Sequence, residues 1–173
     1  MPVQEQTSTV TMKGNPVTLL GNKLEVSQKT PEATLTANDL SEVKLSSLIK
    51  DKVAIISVVP SLDTPICDLQ TKRFNQEAAE LGPDIRILTV SMDLPFAQKR
   101  WCAGAGVDKL QTLSDYRYAS LGEAFGVLIK GLRLLTRAIF VVDKKGVIQY
   151  IQICPEITKE PDYDSVLKAV KKL

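Results

Sequence analysis

Val53-Ala54-Ile55-Ile56-Ser57-Val58-Val59 runs straight into Pro60-Ser61-Leu62-Asp63-Thr64-Pro65-Ile66-Cys67 and then into the stretch from Asp68 to Leu81. The first run is apolar on both faces and rich in β-branching, the pattern of a strand buried at the centre of a sheet. The last carries Leu69, Phe74, Ala78 and Leu81 on roughly one helical face and stops at Gly82-Pro83. A second strand candidate, Ile85 to Ser91, follows. Strand, helix, strand in this order implies a parallel pair joined by a right-handed crossover.

The turn between strand and helix puts Cys67 near the first turn of the helix. Unpaired backbone N–H groups and the positive end of the macrodipole favour a thiolate there. The chain contains no histidine, so the usual base for activating a cysteine is missing. Reactivity must then come from hydrogen-bond donors, the helix terminus and a cation, which argues against cysteine proteases and Cys-His hydrolases.

Working outward, Val17 to Leu20 and Lys23 to Val26 flank Gly21-Asn22, a two-residue turn signal that predicts an N-terminal hairpin over about residues 15–28. A polar linker from Ser27 to Glu42 leads to the central strand. Pro95 opens another expected helix carrying Phe96, Ala97, Trp101 and Cys102 and broken by Gly104 and Gly106. A short helix at about Tyr118 to Phe125 precedes a loop from Gly126 to Gly131. Ala138 to Val142 and Val147 to Ile153 flank Asp143-Lys144-Lys145-Gly146 as a late antiparallel hairpin, and Asp162 to Leu173 reads as a docking helix with Val166, Leu167 and Val170 as its apolar stripe. That order predicts an α/β chain: a thioredoxin-like fold with a central mixed sheet flanked by helices and an N-terminal β-hairpin.

The length of 173 residues and an apolar fraction of 44% suit one compact domain over 1–173. A net charge of +2 gives no reason to expect nucleic acid or an anionic membrane as a partner. Met1 to Lys13 lacks a basic region followed by an apolar run, and no stretch approaches 18 apolar residues, so neither export nor a membrane span is expected. Three cysteines cannot all pair internally, which points to a reducing cytoplasm and catalytic or incidental thiols rather than a secreted disulfide scaffold.

Pro60, Thr64 and Cys67 stand in the Pro-x-x-x-Thr-x-x-Cys spacing, and the motif resembles the active site of the peroxiredoxin family. Ser61 to Cys67 with Thr71 to Asn75 resembles its thiol peroxidase branch, as do Leu94 to Gln98 leading to Cys102, Arg137 to Asp143, and Pro155 to Thr158 followed by Glu160 to Tyr163. The likeness covers about Gly14 to Val170.

This resemblance implies that Cys67 is the peroxidatic cysteine, attacking a hydroperoxide to give a sulfenic acid. It implies that Cys102 resolves this acid as an intramolecular disulfide, which thioredoxin would reduce. Thr64 would supply a hydroxyl, Arg137 a fixed cation, and Pro60 a shield against water. No metal or organic cofactor is implied, and a homodimer is. A free thiol of pKa about 8.5 is only ~3% ionised at pH 7, so local donors must do much of the activation.

Each residue also has a plainer reading. Cys67 could be an inert buried thiol and Cys102 a core cysteine beside Trp101. Thr64 could simply cap the helix and Pro60 end the strand. Arg137 could form a structural ion pair, with Arg117 or Arg133 in its place, while Cys154 reads as structural. At the level of function the alternatives are a peroxide sensor relaying oxidation to a partner protein and a thioredoxin-fold binding module without redox chemistry.

Overall fold

The structure, a computed structural model, describes residues 2–173, so that Met1 lies outside the described residues, as does the side chain of Ser8. At its centre is β5 (Val53–Val58), every residue of which is buried. It pairs in parallel with β6 (Ile85–Ser91) and antiparallel with β9 (Ala138–Val142). The sheet extends through β10 (Ile148–Ile153) on one side and through β7 (Gln111–Ser114), β3 (Thr34–Thr36) and β4 (Glu42–Lys44) on the other, in the order β10-β9-β5-β6-β7-β3-β4. It is the mixed sheet that the sequence implies.

The two faces of β5 follow its alternation. Val53 and Ile55 pack with Phe74, Ile139, Val141, Val166 and Val170, beneath α2 (Pro65–Leu81) and α5 (Tyr163–Lys171). Ala54, Ile56 and Val58 face the larger cluster that includes Leu45, Leu121 and Phe125, from α1 (Leu45–Leu48), α4 (Ser120–Ala124) and the residue after it. Burial of each large aliphatic side chain contributes about 1.5–3 kcal/mol, so a strand covered on both sides anchors the whole layer arrangement. Phe74 and Tyr163 meet edge to face with centroids 5.5 Å apart and tie α2 to α5.

Four expectations need correction. The N-terminal hairpin lies earlier than residues 15–28: β1 (Glu5–Met12) pairs with β2 (Asn15–Leu20), and Lys23 to Val26 form no strand. Its turn is Lys13-Gly14, both with positive φ (51° and 80°), which matches the twist of the flanking strands. Gly21 serves another purpose. A Cβ there would sit 2.0 Å from the Glu123 carbonyl oxygen, so the glycine admits the end of α4 rather than turning a hairpin. The linker from Ser27 to Glu42 contains β3, and the loop from Gly126 to Gly131 contains β8 (Leu128–Ile129), which pairs with β2. Finally, α3 (Pro95–Ala105) runs unbroken through Gly104 and ends at Gly106.

Gly21→Ala should destabilise the fold by about 3 kcal/mol, combining overpacking with an unfavourable φ of 110°, whereas Gly14→Ala, with open space around it, should cost about 1 kcal/mol. Denaturant melts of the two variants decide it, and equal losses would contradict the close-approach account.

Asp115, directly after β7, accepts hydrogen bonds from the backbone N–H groups of Leu121 (3.1 Å) and Gly122 (2.7 Å). Burial pushes its carboxyl up to about 6, with those donors opposing the rise. Because the folded value lies above the ordinary 3.8, the fold holds the proton more tightly than the unfolded chain does. The contribution to stability is full below about pH 4 and is lost as the pH rises through about 6. Relative to Asp115→Asn, the parent should therefore lose stability over that window, and a pH-independent difference between the two melts would refute the assignment.

Candidate active site

Thr64 is the residue before the first turn of α2, with extended φ/ψ (−134°, 148°), and Pro65 opens the helix. Proline suits this position because its fixed φ is already helical and its missing N–H would have no helical partner. The helix therefore starts before Asp68, and Cys67 lies inside its first turn. The N–H groups of Ile66 and Cys67 have no preceding helical carbonyl to bind, and the helix dipole places partial positive charge beside the thiol. Thr71 Oγ1 donates to the Cys67 carbonyl (2.8 Å) and reinforces that turn.

Arg137 stands one residue before β9 and is 2% exposed. Its alternation with Ala138, which faces the opposite cluster, directs it toward the α2 side of the sheet. Nη2 donates to Cys67 Sγ at 3.4 Å, Nη1 to Gln70 Oε1 at 2.7 Å, and Nε to the Ile157 carbonyl at 2.9 Å. Gln70 is held in turn by its own Nε2 donating to Ser57 Oγ (2.7 Å) on β5. Among the described residues, Arg137 forms no salt bridge to any Asp or Glu. The guanidinium therefore has a side-chain amide oxygen, a backbone carbonyl and the Cys67 sulfur as its partners, with no carboxylate among them.

The other candidates divide. Pro60 is buried at the end of the central strand, directly after Val59, which packs with Leu62, Cys67 and Trp101. The Thr64 side chain makes no capping bond to α2; its hydroxyl donates back to the Ser61 carbonyl (2.8 Å), leaving its oxygen lone pairs available. Cys102 lies on α3, half-buried, with Sγ 3.6 Å from Thr112 Oγ1, and burial raises its thiol pKa. All three cysteines are unpaired. Arg117 is occupied at the surface by Glu42 (3.0 Å), and Arg133 has a positive φ (56°) in the loop after β8. Cys154 follows β10, is 3% exposed, and has its thiol pushed up to about 11 by burial.

Sequence reasoning did not single out Gln70, Ser57, Asp93 or the Asp68–Trp101 pair. Gln70 is three residues after Cys67 and so shares its helical face, and Ser57 is the one polar residue in β5; both signals were present. Asp93 Oδ2 accepts from the Leu62 N–H (2.7 Å) and Ser91 Oγ (2.7 Å), while Oδ1 accepts from Ser61 Oγ (2.6 Å). It fastens the loop before α2 to the end of β6, a contact across 31 residues of sequence that no local pattern reveals. Trp101 Nε1 donates to Asp68 Oδ1 at 3.1 Å, joining α3 to the first turn of α2. A groove of about 730 Å³ runs beside this contact, lined in part by Leu62, Phe96 and Trp101. Leu62 and Trp101 both pack on Cys67, which is fully buried behind them.

A family model described as Redoxin matches residues 25–167. The chain is 52% identical to a thiol peroxidase of Halalkalibacterium halodurans over 95% of its length and 98% of that protein. To a thiol peroxidase of Bacillus subtilis (strain 168) it is 51% identical, covering 95% of this chain and 97% of the other. Among solved structures, a peroxiredoxin-like protein from Aquifex aeolicus superposes with a TM-score of 0.88 at 43% identity, covering 99% of both chains. A thiol peroxidase from Chromobacterium violaceum shares the fold at a TM-score of 0.83 and 19% identity, covering 94% of this chain and 95% of that one. Matched by a model over most of its length and by relatives about half identical from end to end, the chain belongs to the Redoxin family, in its thiol peroxidase branch.

Proposed function

We propose that the chain reduces hydroperoxides with Cys67 as the nucleophile. The observation that carries this reading is the 3.4 Å contact between Arg137 Nη2 and Cys67 Sγ in a buried pocket without a carboxylate. The Cys67 thiolate attacks one peroxide oxygen and the O–O bond breaks. The departing oxygen leaves as alkoxide or hydroxide and takes a proton to become an alcohol or water, and Cys67 remains as the sulfenic acid. Arg137 keeps charge on the sulfur and offers donors to the charge developing on the peroxide. Gln70 holds the guanidinium in place for that role. Thr64, whose hydroxyl proton goes to the Ser61 carbonyl, would accept a hydrogen bond from the hydroperoxide O–H, and Pro60 would keep water from the sulfur.

Cys102 completes the cycle in this reading. Its sulfur displaces hydroxide from the Cys67 sulfenic acid, the thiol proton leaves with it as water, and an intramolecular disulfide remains. A dithiol reductant of the thioredoxin kind returns both thiols. Resolution requires movement, because Cys67 on α2 is fully buried against Arg137 while Cys102 on α3 has its sulfur against Thr112 on β7, and the two thiols are unpaired. Homodimerisation and a cytoplasmic setting belong to the same proposal; no helix is long and apolar enough to cross a membrane among the described residues. Cys154, its thiol pushed up by burial, stays outside the cycle.

Cys67→Ser should abolish peroxide turnover with a thioredoxin system, while Cys154→Ser should leave it close to the parent. Peptide mapping after one equivalent of peroxide should find the Cys67 to Cys102 bridge within one chain; a dominant bridge to Cys154 or between chains would sink the cycle. Loss of turnover with single-equivalent oxidation intact would instead identify a sensor.

Arg137→Ala should slow the second-order reaction with peroxide about 100-fold, the scale of removing one preorganised donor. Arg137→Lys keeps the charge but cannot bind Cys67, Gln70 and the Ile157 carbonyl together, so it should recover only part of the rate. Stopped-flow kinetics decide it, and a larger effect from Arg117→Ala or Arg133→Ala would move the role elsewhere.

A further inference from the structure

On the α3 side, the neighbour of the Cys67 cluster is Trp101 and not Cys102. Trp101 packs on Cys67 together with Val59 and Leu62, while Cys102, the next residue of α3, points toward Thr112 on β7. Successive residues of a helix project about 100° apart, so α3 must rotate or unwind to bring Cys102 round, and Trp101 must leave. What holds Trp101 is a hydrogen bond to Asp68, the residue after Cys67 in the first turn of α2. Lys72 braces that carboxylate from one turn further on, Nζ to Oδ2 at 2.8 Å. The same pair thus fastens both segments that have to open, the first turn of α2 and the body of α3.

We propose that Asp68 and Trp101 form a latch that sets the rate of disulfide formation after Cys67 has been oxidised, and so how long its sulfenic acid remains exposed to a second peroxide. Both are positioning residues. The proposal rests on the Cys67 to Cys102 cycle described above. Closed, the latch preserves the helical turn and the Arg137 contact that the first step needs. Open, it exposes Cys102, whose thiol ionises less readily while buried. A hydrogen bond to a charged acceptor is strong enough to shift an opening equilibrium severalfold, yet weak enough to break once per cycle. The latch therefore trades speed of resolution against integrity of the peroxide pocket.

Rapid mixing with peroxide followed by acid quench and mass spectrometry separates the two steps, because the first depends on peroxide concentration and the second does not. Asp68→Ala and Trp101→Phe should each speed the peroxide-independent step about fivefold and lower the fraction of Cys67 driven to sulfinic acid at high peroxide. Trp101→Phe retains an apolar cover over Cys67 while removing the donor. Asp68→Asn keeps an acceptor for Trp101 but loses the charge and the Lys72 brace, so it should resolve faster than the parent and slower than Asp68→Ala. Parent-like resolution in both Asp68→Ala and Trp101→Phe would overturn the latch, as would Asp68→Asn matching Asp68→Ala. If the parent forms a bridge other than Cys67 to Cys102, the underlying cycle fails and the latch fails with it.

Discussion

A guanidinium buried without a carboxylate is the constraint around which this site is built. Arg137 spends its donors on a glutamine oxygen, a backbone carbonyl and the Cys67 sulfur, and two of those partners are neutral. Charge in so dry a position is costly unless something nearby answers it. Among the groups to which the guanidinium donates, the sulfur is the one that can ionise, and the first turn of α2 adds its own partial positive charge from the other side. In the proposed mechanism activation is electrostatic and fixed in advance, requiring no proton relay.

The fold explains why these groups meet. β5 delivers the chain to the start of α2 at the carboxyl end of the parallel strands, where α/β sheets leave a crevice. β9 runs antiparallel beside β5 with Ala138 opposite Val58, so the residue before Ala138 arrives at the same edge of the sheet. Ser57 on β5 fixes Gln70, Gln70 fixes Arg137, and Asp93 fixes the loop that leads into the helix. The sulfur is placed by strand register and a chain of hydrogen bonds rather than by loop conformation, which is how a site retains its geometry through many cycles.

Reading from residues succeeded where local pattern and burial agree. A strand apolar on both faces, a helix stopped at Gly82-Pro83 and a parallel return were legible from Val53 to Ser91, and so was the late hairpin, although Pro65 as the opening residue of α2 was not. It failed where tertiary context decides. β3, β7 and β8 are two to four residues long, and Gln111 to Ser114 has too few apolar positions to show a period. β1 is rich in threonine and serine, with Val10 packed inward, and so resembles a polar tail. Gly21 looked like a turn because glycine signals a turn and a close backbone approach in the same letter. Cys67 and Cys102 stood out in the sequence, but that Trp101 lies against Cys67, fastened by Asp68, depends on how α3 packs.

The central claim, that Cys67 is the counter-ion of Arg137, is tested most directly by ultraviolet thiolate absorbance at neutral pH in protein whose Cys102 and Cys154 are both replaced by serine. The account predicts the absorbance of one thiolate, removed when Cys67 is also replaced by serine. A spectrum without thiolate absorbance at that pH would mean that the buried guanidinium faces a neutral thiol, and the electrostatic account of this site would be wrong.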